Sequence, residues 1–323
     1  MSALPTIKAL AQAKPEKLHK LWEGLGYYTR VRNMQRAAKV IIDKHQGTFP
    51  DSFDDLMSLP GIGRYTAGAI CSIAFNQAKP VLDGNVIRVL TRLYGIGGDP
   101  REKTLNAQLW HLSEKLVQYA AKVSNDSAKV RPPSPLPGAK IPQQEPVTCP
   151  VGSFNQAVME LGALVCTPRQ PICAACPLLQ LCVAFREKRV RELPTLKRRA
   201  PATTRRFVAL VASNDDKFLV RQRPNGVLNA HLWEFPNFEV GLNGYEVKTE
   251  ARKKLGITVS RIEPLCTIKH TITRYRITLD VFRVSTNRLT KLTHKGWWLT
   301  RAELKRLPFT SAHKKILMQV SDS

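Results

Sequence analysis

The stretch LPGIGRYTAGAI, from Leu59 to Ile70, lies between two segments with helical periodicity and decides the fold of the N-terminal half. Its Gly-x-Gly turn, formed by Gly61 and Gly63, frees backbone N–H groups to point at a phosphate near the start of a helix. Neither glycine has a side chain that would block this approach. Because many turns between helices contain glycine, the meaning of this one depends on its surroundings.

Twenty residues after Gly63 stands Asp83, in the stretch LDGNVIRVL. An aspartate followed by glycine often forms a turn or caps a helix, and the residue alone favours that interpretation. The alternative is a functional carboxylate. The hairpin turn that precedes Asp83 favours this second interpretation.

Four of the seven cysteines lie close together with the spacing C-x6-C-x2-C-x5-C; they are Cys166, Cys173, Cys176 and Cys182. The odd total and the crowding argue against disulfides and for metal in a reducing, intracellular compartment. Four such thiolates can ligate one 4Fe-4S cluster. A tetrahedral zinc site is the alternative, although paired CxxC knuckles are more typical of zinc.

The charge of the chain is strongly basic, since 50 Lys+Arg against 25 Asp+Glu give a net charge of +25. A polyanion is the natural partner, and nucleic acid is the commonest one. A basic surface kept for solubility or for acidic lipid is the alternative. No stretch approaches the ~20 apolar residues that span a bilayer, so no membrane partner is expected. The first 20 residues faintly resemble a transit peptide, but they lack its richness in arginine and serine.

The hydrophobic pattern changes along the chain. Amphipathic helical periodicity predicts a helical domain over 1–190, interrupted by a proline-rich, flexible insertion at 122–150. A basic linker follows at 191–206. From Phe207 short β-branched runs such as FVALVA, KFLVRQR and YRITLDVFRV predict strands, so 207–323 is expected to be a small α+β domain.

Together these motifs resemble the MutY-type adenine DNA glycosylases of the helix-hairpin-helix and endonuclease III superfamily. The block LWEGLGYYTRVRN, from Leu21 to Asn33, is similar to a MutY-specific sequence, and LNAHLWEFP and IKHTITRYRITLDVF resemble the MutY C-terminal domain. The resemblance covers the chain except the 122–150 insertion. It implies a mainly α glycosylase domain with an iron–sulfur cluster loop, followed by an α+β Nudix-like domain.

The resemblance implies base excision repair: hydrolytic removal of adenine mispaired with 8-oxoguanine or guanine in double-stranded DNA. Asp83 would face the deoxyribose as positive charge develops on that sugar. Asn85 would form a hydrogen bond near Asp83 and the sugar. Superfamily lyases carry a Schiff-base lysine where this chain has Tyr65, which points to a monofunctional N-glycosylase. Tyr65 would lie in the active-site pocket; its alternative role is core packing.

The resemblance also implies contacts to DNA. Leu25 and Tyr27 match positions that press into the duplex beside 8-oxoguanine, and Arg30 is a phosphate contact or a solvated charge. Periodicity alone would place Leu25 and Tyr27 in a core. By the same resemblance, the 4Fe-4S cluster would shape a basic loop for DNA, and redox catalysis is not implied.

In the C-terminal half, a Nudix hydrolase would need a glutamate-rich helix to hold magnesium. The corresponding region reads EARKKLG, Glu250 to Gly256, so pyrophosphatase chemistry is rejected. Where the family reads 8-oxoguanine with a Phe-Ser-His loop, this chain has Ile272, Thr273 and Arg274. Thr273 carries a hydroxyl group, as the serine of the family's loop does. Thr273, Arg274 and His270 in the same block are the expected DNA contacts.

One family motif has no match in these 323 residues, the Ser-Glu…Gln-Gln-Thr block whose glutamate is the general acid. A catalytically impaired DNA-binding remnant or an incomplete chain is therefore the alternative to an active enzyme. A thymine or oxidised-pyrimidine glycosylase is disfavoured by GLGYY and by the C-terminal domain. We expect a monomer located inside the cell, in the cytoplasm or nucleoid if the source is bacterial.

Overall fold

The computed structural model of the protein describes residues 3–127, 150–197, 201–242, 244–285 and 296–321. The chain forms two compact units, which we call the sheet unit (residues 1–39 and 200–323) and the hairpin unit (residues 40–199). This division places residues 1–39 with the C-terminal half. The domain boundaries drawn from the sequence follow the motifs instead and stay a prediction.

The helices lie in both units, and they account for most of the described residues of the hairpin unit. The described helices are α1 (Ile7–Gln12), α2 (Pro15–Leu21), α3 (Thr29–His45), α4 (Phe53–Ser58), α5 (Arg64–Phe75), α6 (Gly84–Leu93), α7 (Lys103–Ser127), α8 (Pro150–Glu160), α9 (Val183–Arg186), α10 (Val247–Leu255), α11 (Arg301–Arg306) and α12 (Ser311–Ser321). Within the described ranges, none is both long and apolar enough to cross a bilayer.

The core of the hairpin unit forms where α6 packs on α7. Val86 and Leu90 lie one helical turn apart on α6 and belong to one buried cluster with Leu105 and Leu109 of α7. At the start of α4 the Ser52 hydroxyl accepts a hydrogen bond from the Asp55 N–H at 3.1 Å and so caps the helix.

The segment predicted as an insertion is helical at its first residues, because α7 continues to Ser127. Its sequence contains no proline before Pro132, so nothing in the chain stops the helix earlier. Helix α8 begins at Pro150, the last residue of the predicted insertion, and proline is favoured at a first helical position. Residues 128–149, including Cys149, lie outside the described residues.

Among the residues that the structure describes, seven strands form the sheet of the sheet unit. They are β1 (Thr203–Asn214), β2 (Lys217–Gln222), β3 (Trp233–Glu234), β4 (Asn237–Val240), β5 (Arg261–Ile272), β6 (Tyr275–Ser285) and β7 (Trp297–Thr300). The main order is β3-β2-β1-β6-β5, with β4 paired to β1 and β7 paired to β2. Strand β1 runs parallel to β6 and antiparallel to β2 and β4. Since β1 starts at Thr203, the predicted basic linker ends inside a strand.

Both faces of the central strand are buried, which explains the unbroken apolar run FVALVA. Ala209 and Val211 face a core with α11 and α12, including Leu304 and Ile316. The alternating residues of β1 face a second core with α10; they are Val208, Leu210 and Ala212. A sheet covered by helices on both faces confirms the α+β prediction for this half.

Gly68 in α5 has no room for a larger residue. A Cβ at this position would lie 2.1 Å from the carbonyl oxygen of Pro80. We therefore expect Gly68→Ala to lower the free energy of unfolding by about 1–3 kcal/mol, through overpacking against backbone. Urea unfolding followed by circular dichroism measures this.

Gly241→Ala is the matched control, because a Cβ there meets nothing within 4 Å. Equal unfolding midpoints for the two variants would contradict the close approach of α5 to Pro80.

Candidate functional site

The hairpin between α4 and α5 has the geometry that its glycines suggest. Gly61 has a φ of +83°, a conformation that favours glycine. Gly63 is the N-cap of α5, and a Cβ on it would meet no atom within 4 Å. Packing therefore does not explain why this position is glycine. The open space lies at the start of a helix, where unpaired N–H groups can receive an anion.

Asp83 caps α6, which was the simpler of its two interpretations. Its Oδ1 accepts hydrogen bonds from the N–H groups of Asn85 at 2.9 Å and Val86 at 2.8 Å. Its Oδ2 accepts one from Asn85 Nδ2 at 3.2 Å. The carboxylate is only partly buried. Since a carboxylate oxygen has room for further donors or a cation, capping leaves a second role open.

A buried arginine holds Asn85 in place. Arg88 Nη2 donates to Asn85 Oδ1 at 2.8 Å and to Gly162 O at 2.6 Å. Its Nε donates to the carbonyl oxygen of Cys166 at 2.7 Å. Asp83, Asn85 and Arg88 thus form one hydrogen-bonded chain along α6 that ends at a cysteine. Sequence reasoning missed Arg88; the available signal was a single arginine inside the apolar run VIRVL.

A short π-helical turn, Leu161–Val165, brings the backbone close to this chain. A Cβ on Gly162 would lie 2.7 Å from Asn85 Cβ and 2.9 Å from Asn85 O. Glycine is therefore required where the turn passes Asn85. The π turn also directs the carbonyl oxygen of Gly162 to Arg88.

Tyr65 lies one residue into α5 and is 38% exposed, so it is not a core residue. Its hydroxyl donates to Met159 Sδ at 3.4 Å. Burial of the hydroxyl and the negative charge of Asp83 raise the pKa of Tyr65. The phenol therefore stays protonated near the carboxylate.

The four cysteines of the predicted cluster line one cavity together with Arg92. Arg92 Nη1 donates to Cys166 Sγ at 3.3 Å, and the same guanidinium donates to backbone carbonyls of Thr167 and Pro168. Burial and the neighbouring thiols raise the pKa of Cys173, and Arg92 opposes this. Among the described residues, no group of three or more His, Cys, Asp or Glu side chains is arranged to hold a metal ion.

In the sheet unit, the residues predicted to press into DNA are exposed. Leu25 is 69% and Tyr27 71% exposed, in the turn between α2 and α3. Tyr27 has a φ of +44°, and the guanidinium of Arg30 lies 5.5 Å from the centre of its ring. The core interpretation of these two side chains therefore does not hold.

The turn between β5 and β6 carries the remaining predicted contacts. Thr273 has a φ of +52°, is exposed, and donates through Oγ1 to Ile272 O at 2.7 Å. Arg274 is exposed and donates to the Tyr275 hydroxyl at 3.1 Å. His270 turns inward: its Nδ1 is buried and has no partner in the described part of the chain. Burial and the charge of Lys315 lower the pKa of His270, which favours a neutral ring.

Two family models match parts of this chain. Residues 1–115 match the family model of the HhH-GPD superfamily base excision DNA repair protein, and residues 207–319 match that of the NUDIX domain. The solved structure of a thermostable thymine-DNA glycosylase aligns with a TM-score of 0.42 at 25% identity, over 56% of this chain and 70% of that chain.

Curated relatives named adenine DNA glycosylase match over most of the chain. The human protein is 32% identical, over 98% of this chain and 62% of its own length. The mouse protein is 30% identical, over 100% and 67%. The protein of Buchnera aphidicola subsp. Schizaphis graminum is 35% identical, over 76% and 62%. The chain thus spans about 62% of the length of the first of these relatives.

Proposed function

The chain belongs to the adenine DNA glycosylase family, and from this premise we propose that its protein removes adenine from duplex DNA by hydrolysing the N-glycosidic bond. The preferred substrate is adenine opposite 8-oxoguanine or guanine. The observation that carries the proposal is Asp83, a partly exposed carboxylate held at the start of α6 by Asn85 and Arg88. It lies in the unit that also contains the open hairpin of Gly61 and Gly63.

In the proposed reaction, Asp83 supplies electrostatic stabilisation. Positive charge develops on the deoxyribose as its bond to adenine breaks, and a fixed carboxylate lowers the energy of that state. Asn85 and Arg88 keep the carboxylate in one orientation, so little reorganisation is needed during the reaction. Tyr65 has no amine for covalent attack, so water attacks the sugar carbon as the bond from that carbon to adenine breaks. The water loses one proton, adenine gains one, and the DNA backbone is left intact.

Cys166, Cys173, Cys176 and Cys182 hold a 4Fe-4S cluster in this proposal. Two observations support the fit: the four thiols line one cavity, and Arg92 places positive charge against Cys166. A structural zinc ion would need four ligands at about 2.0–2.3 Å from one centre. A cluster spreads its cysteines over several irons, and the spacing C-x6-C-x2-C-x5-C lacks the paired CxxC knuckles that are typical of zinc. When bound, the cluster supplies a rigid fold for the loop.

DNA binding involves both units. The hairpin at Gly61 and Gly63 receives a phosphate, and Arg30 neutralises another. Leu25 and Tyr27 replace stacking that is lost when adenine leaves the duplex. Thr273 and Arg274 contact the opposite base. The expectation of a monomer inside the cell, drawn from the sequence, stays a prediction.

Single-turnover excision tests the proposed activity on duplexes with adenine opposite 8-oxoguanine, guanine or thymine, with alkali to reveal abasic sites. We expect abasic sites in the duplexes with 8-oxoguanine and guanine. Opposite thymine the rate of excision should be about 10²-fold lower or zero, because extruding adenine from a normal pair costs more free energy than extruding it from a mispair. Binding without any excision would instead support the DNA-binding remnant. Equal rates on all three duplexes would refute the mispair preference.

A further inference from the structure

Glu23 is a mostly buried carboxylate that the proposed reaction does not use. It immediately precedes the turn that carries Leu25 and Tyr27, and its side chain is only 9% exposed. A charged group this deeply buried must be paired, since burial of an unpaired charge is costly. Its partners therefore show what the turn is attached to.

Two of these partners come from the far end of the sequence. Glu23 Oε1 accepts the backbone N–H of Phe309 at 3.1 Å, and Oε2 accepts Lys314 Nζ at 2.8 Å. Lys20 Nζ donates to Oε2 at 3.0 Å and also to the carbonyl oxygen of Leu307 at 3.0 Å. Burial raises the pKa of Glu23, but these donors outweigh burial and hold it below its ordinary value.

The attachment point is rigid. Phe309 is 1% exposed in the core between the sheet and α12. Its neighbours bond to β3: Trp233 N–H donates to Pro308 O at 2.8 Å, and Thr310 N–H donates to Trp233 O at 3.1 Å. Glu23 is therefore joined to backbone that the sheet itself fixes.

Further contacts join residues on both sides of the turn to the C-terminal half. Arg32 Nη1, in α3, donates to Ala230 O at 3.4 Å. The His19 ring stacks on His231 at 6.0 Å and meets the buried Tyr28 edge-on. The exposed turn is thus held before and after its tip by segments of the C-terminal half.

We propose that Glu23 is a positioning residue that attaches the Leu25–Tyr27 turn to the start of α12. The turn and the 272–274 hairpin are then held on the same unit when they contact DNA. This inference rests on the proposed function for the role of the turn in DNA binding. The attachment itself concerns the free protein. A turn that is ordered before binding loses less conformational entropy on the duplex, so the attachment adds affinity without touching DNA.

Hydrogen exchange of the free protein tests the attachment without DNA. In Glu23→Ala, backbone amides of 24–32 should exchange about tenfold faster or more, the factor expected for lost hydrogen bonds to a charged group. Glu23→Gln keeps an acceptor for Phe309 and should show a smaller increase. Glu263→Ala is the control, because its ion pair with Arg261 is exposed. Unchanged exchange in Glu23→Ala would overturn the inference.

Lys314→Met covers the case in which Glu23→Ala fails to fold. It removes the ion pair between Lys314 and Glu23 and keeps most of the aliphatic part of the side chain. Lys315→Met changes the neighbouring lysine and is the control. Faster exchange of 24–32 in the first variant alone is expected. Equal exchange in the two lysine variants would overturn the inference.

Equilibrium binding to a catalytically inert duplex with 8-oxoguanine tests the role in DNA binding. Affinity should fall about tenfold in Glu23→Ala and less in Glu23→Gln, while Glu263→Ala binds as the unmodified chain does. Faster exchange with unchanged affinity would overturn the positioning role and leave the proposed excision standing. An unmodified chain that binds no DNA would refute the proposed function, and exchange alone would then decide the attachment.

Discussion

Cys173→Ser is expected to remove the iron from the protein. The unmodified chain, purified anaerobically, should be brown and contain about four irons per molecule. A serine hydroxyl is a poor substitute for a thiolate, and the three remaining cysteines would hold a cluster weakly. We expect iron to fall to a small fraction of the unmodified content, and affinity for duplex DNA to fall at least about tenfold, because the loop from 166 to 182 loses its anchor. Metal analysis and visible absorption measure the first effect, and equilibrium binding measures the second.

Cys266→Ser is the matched control for this variant. Cys266 is a partly buried thiol on β5, in the sheet unit, and does not line the cysteine cavity. It should keep its iron and its affinity for DNA. Stoichiometric zinc without iron in the unmodified chain, or full iron in Cys173→Ser, would rule out the proposed cluster.

Local patterns in the sequence were enough to predict most of the elements. The hairpin follows from Gly61 and the cap from Ser52, since both act within a few residues. The central strand follows from the run FVALVA, because a strand buried on both faces has no polar alternation. In each case the signal and its effect lie close together in the chain.

Contacts between distant residues could not be predicted in this way. Arg88 binds Gly162 and Cys166 from more than 70 positions away, and Glu23 binds Phe309 and Lys314 from more than 280. Nothing in the spacing of these residues indicates that they meet. Helix α12 was also missed, because its role in covering the sheet depends on the tertiary fold.

Asp83→Asn is expected to abolish most adenine excision. The two roles of Asp83, capping α6 and stabilising the cationic sugar, depend on different properties of its carboxylate. The cap needs an acceptor oxygen, and asparagine supplies one as well as aspartate does. The sugar needs negative charge, which asparagine lacks. The substitution therefore removes the proposed catalytic role and keeps the cap made by Oδ1, while the hydrogen bond from Asn85 Nδ2 to Oδ2 is lost.

The expected loss is about 10²- to 10³-fold in single-turnover rate, the range found when one fixed electrostatic partner of a transition state is removed. The free energy of unfolding and the affinity for DNA should change little. The measurement uses an adenine:8-oxoguanine duplex under conditions in which the unmodified protein excises adenine. Unfolding is followed separately in urea.

Asp83→Ala separates the two interpretations further. It loses both the charge and the acceptor that binds the N–H groups of Asn85 and Val86, so about 1 kcal/mol of stability should be lost with it. If Asp83 serves only as a cap, Asp83→Asn excises adenine normally and Asp83→Ala is merely less stable. If it faces the sugar, both variants are almost inactive although only one is destabilised. The asparagine variant decides between them, because it alone changes charge while the start of α6 stays capped.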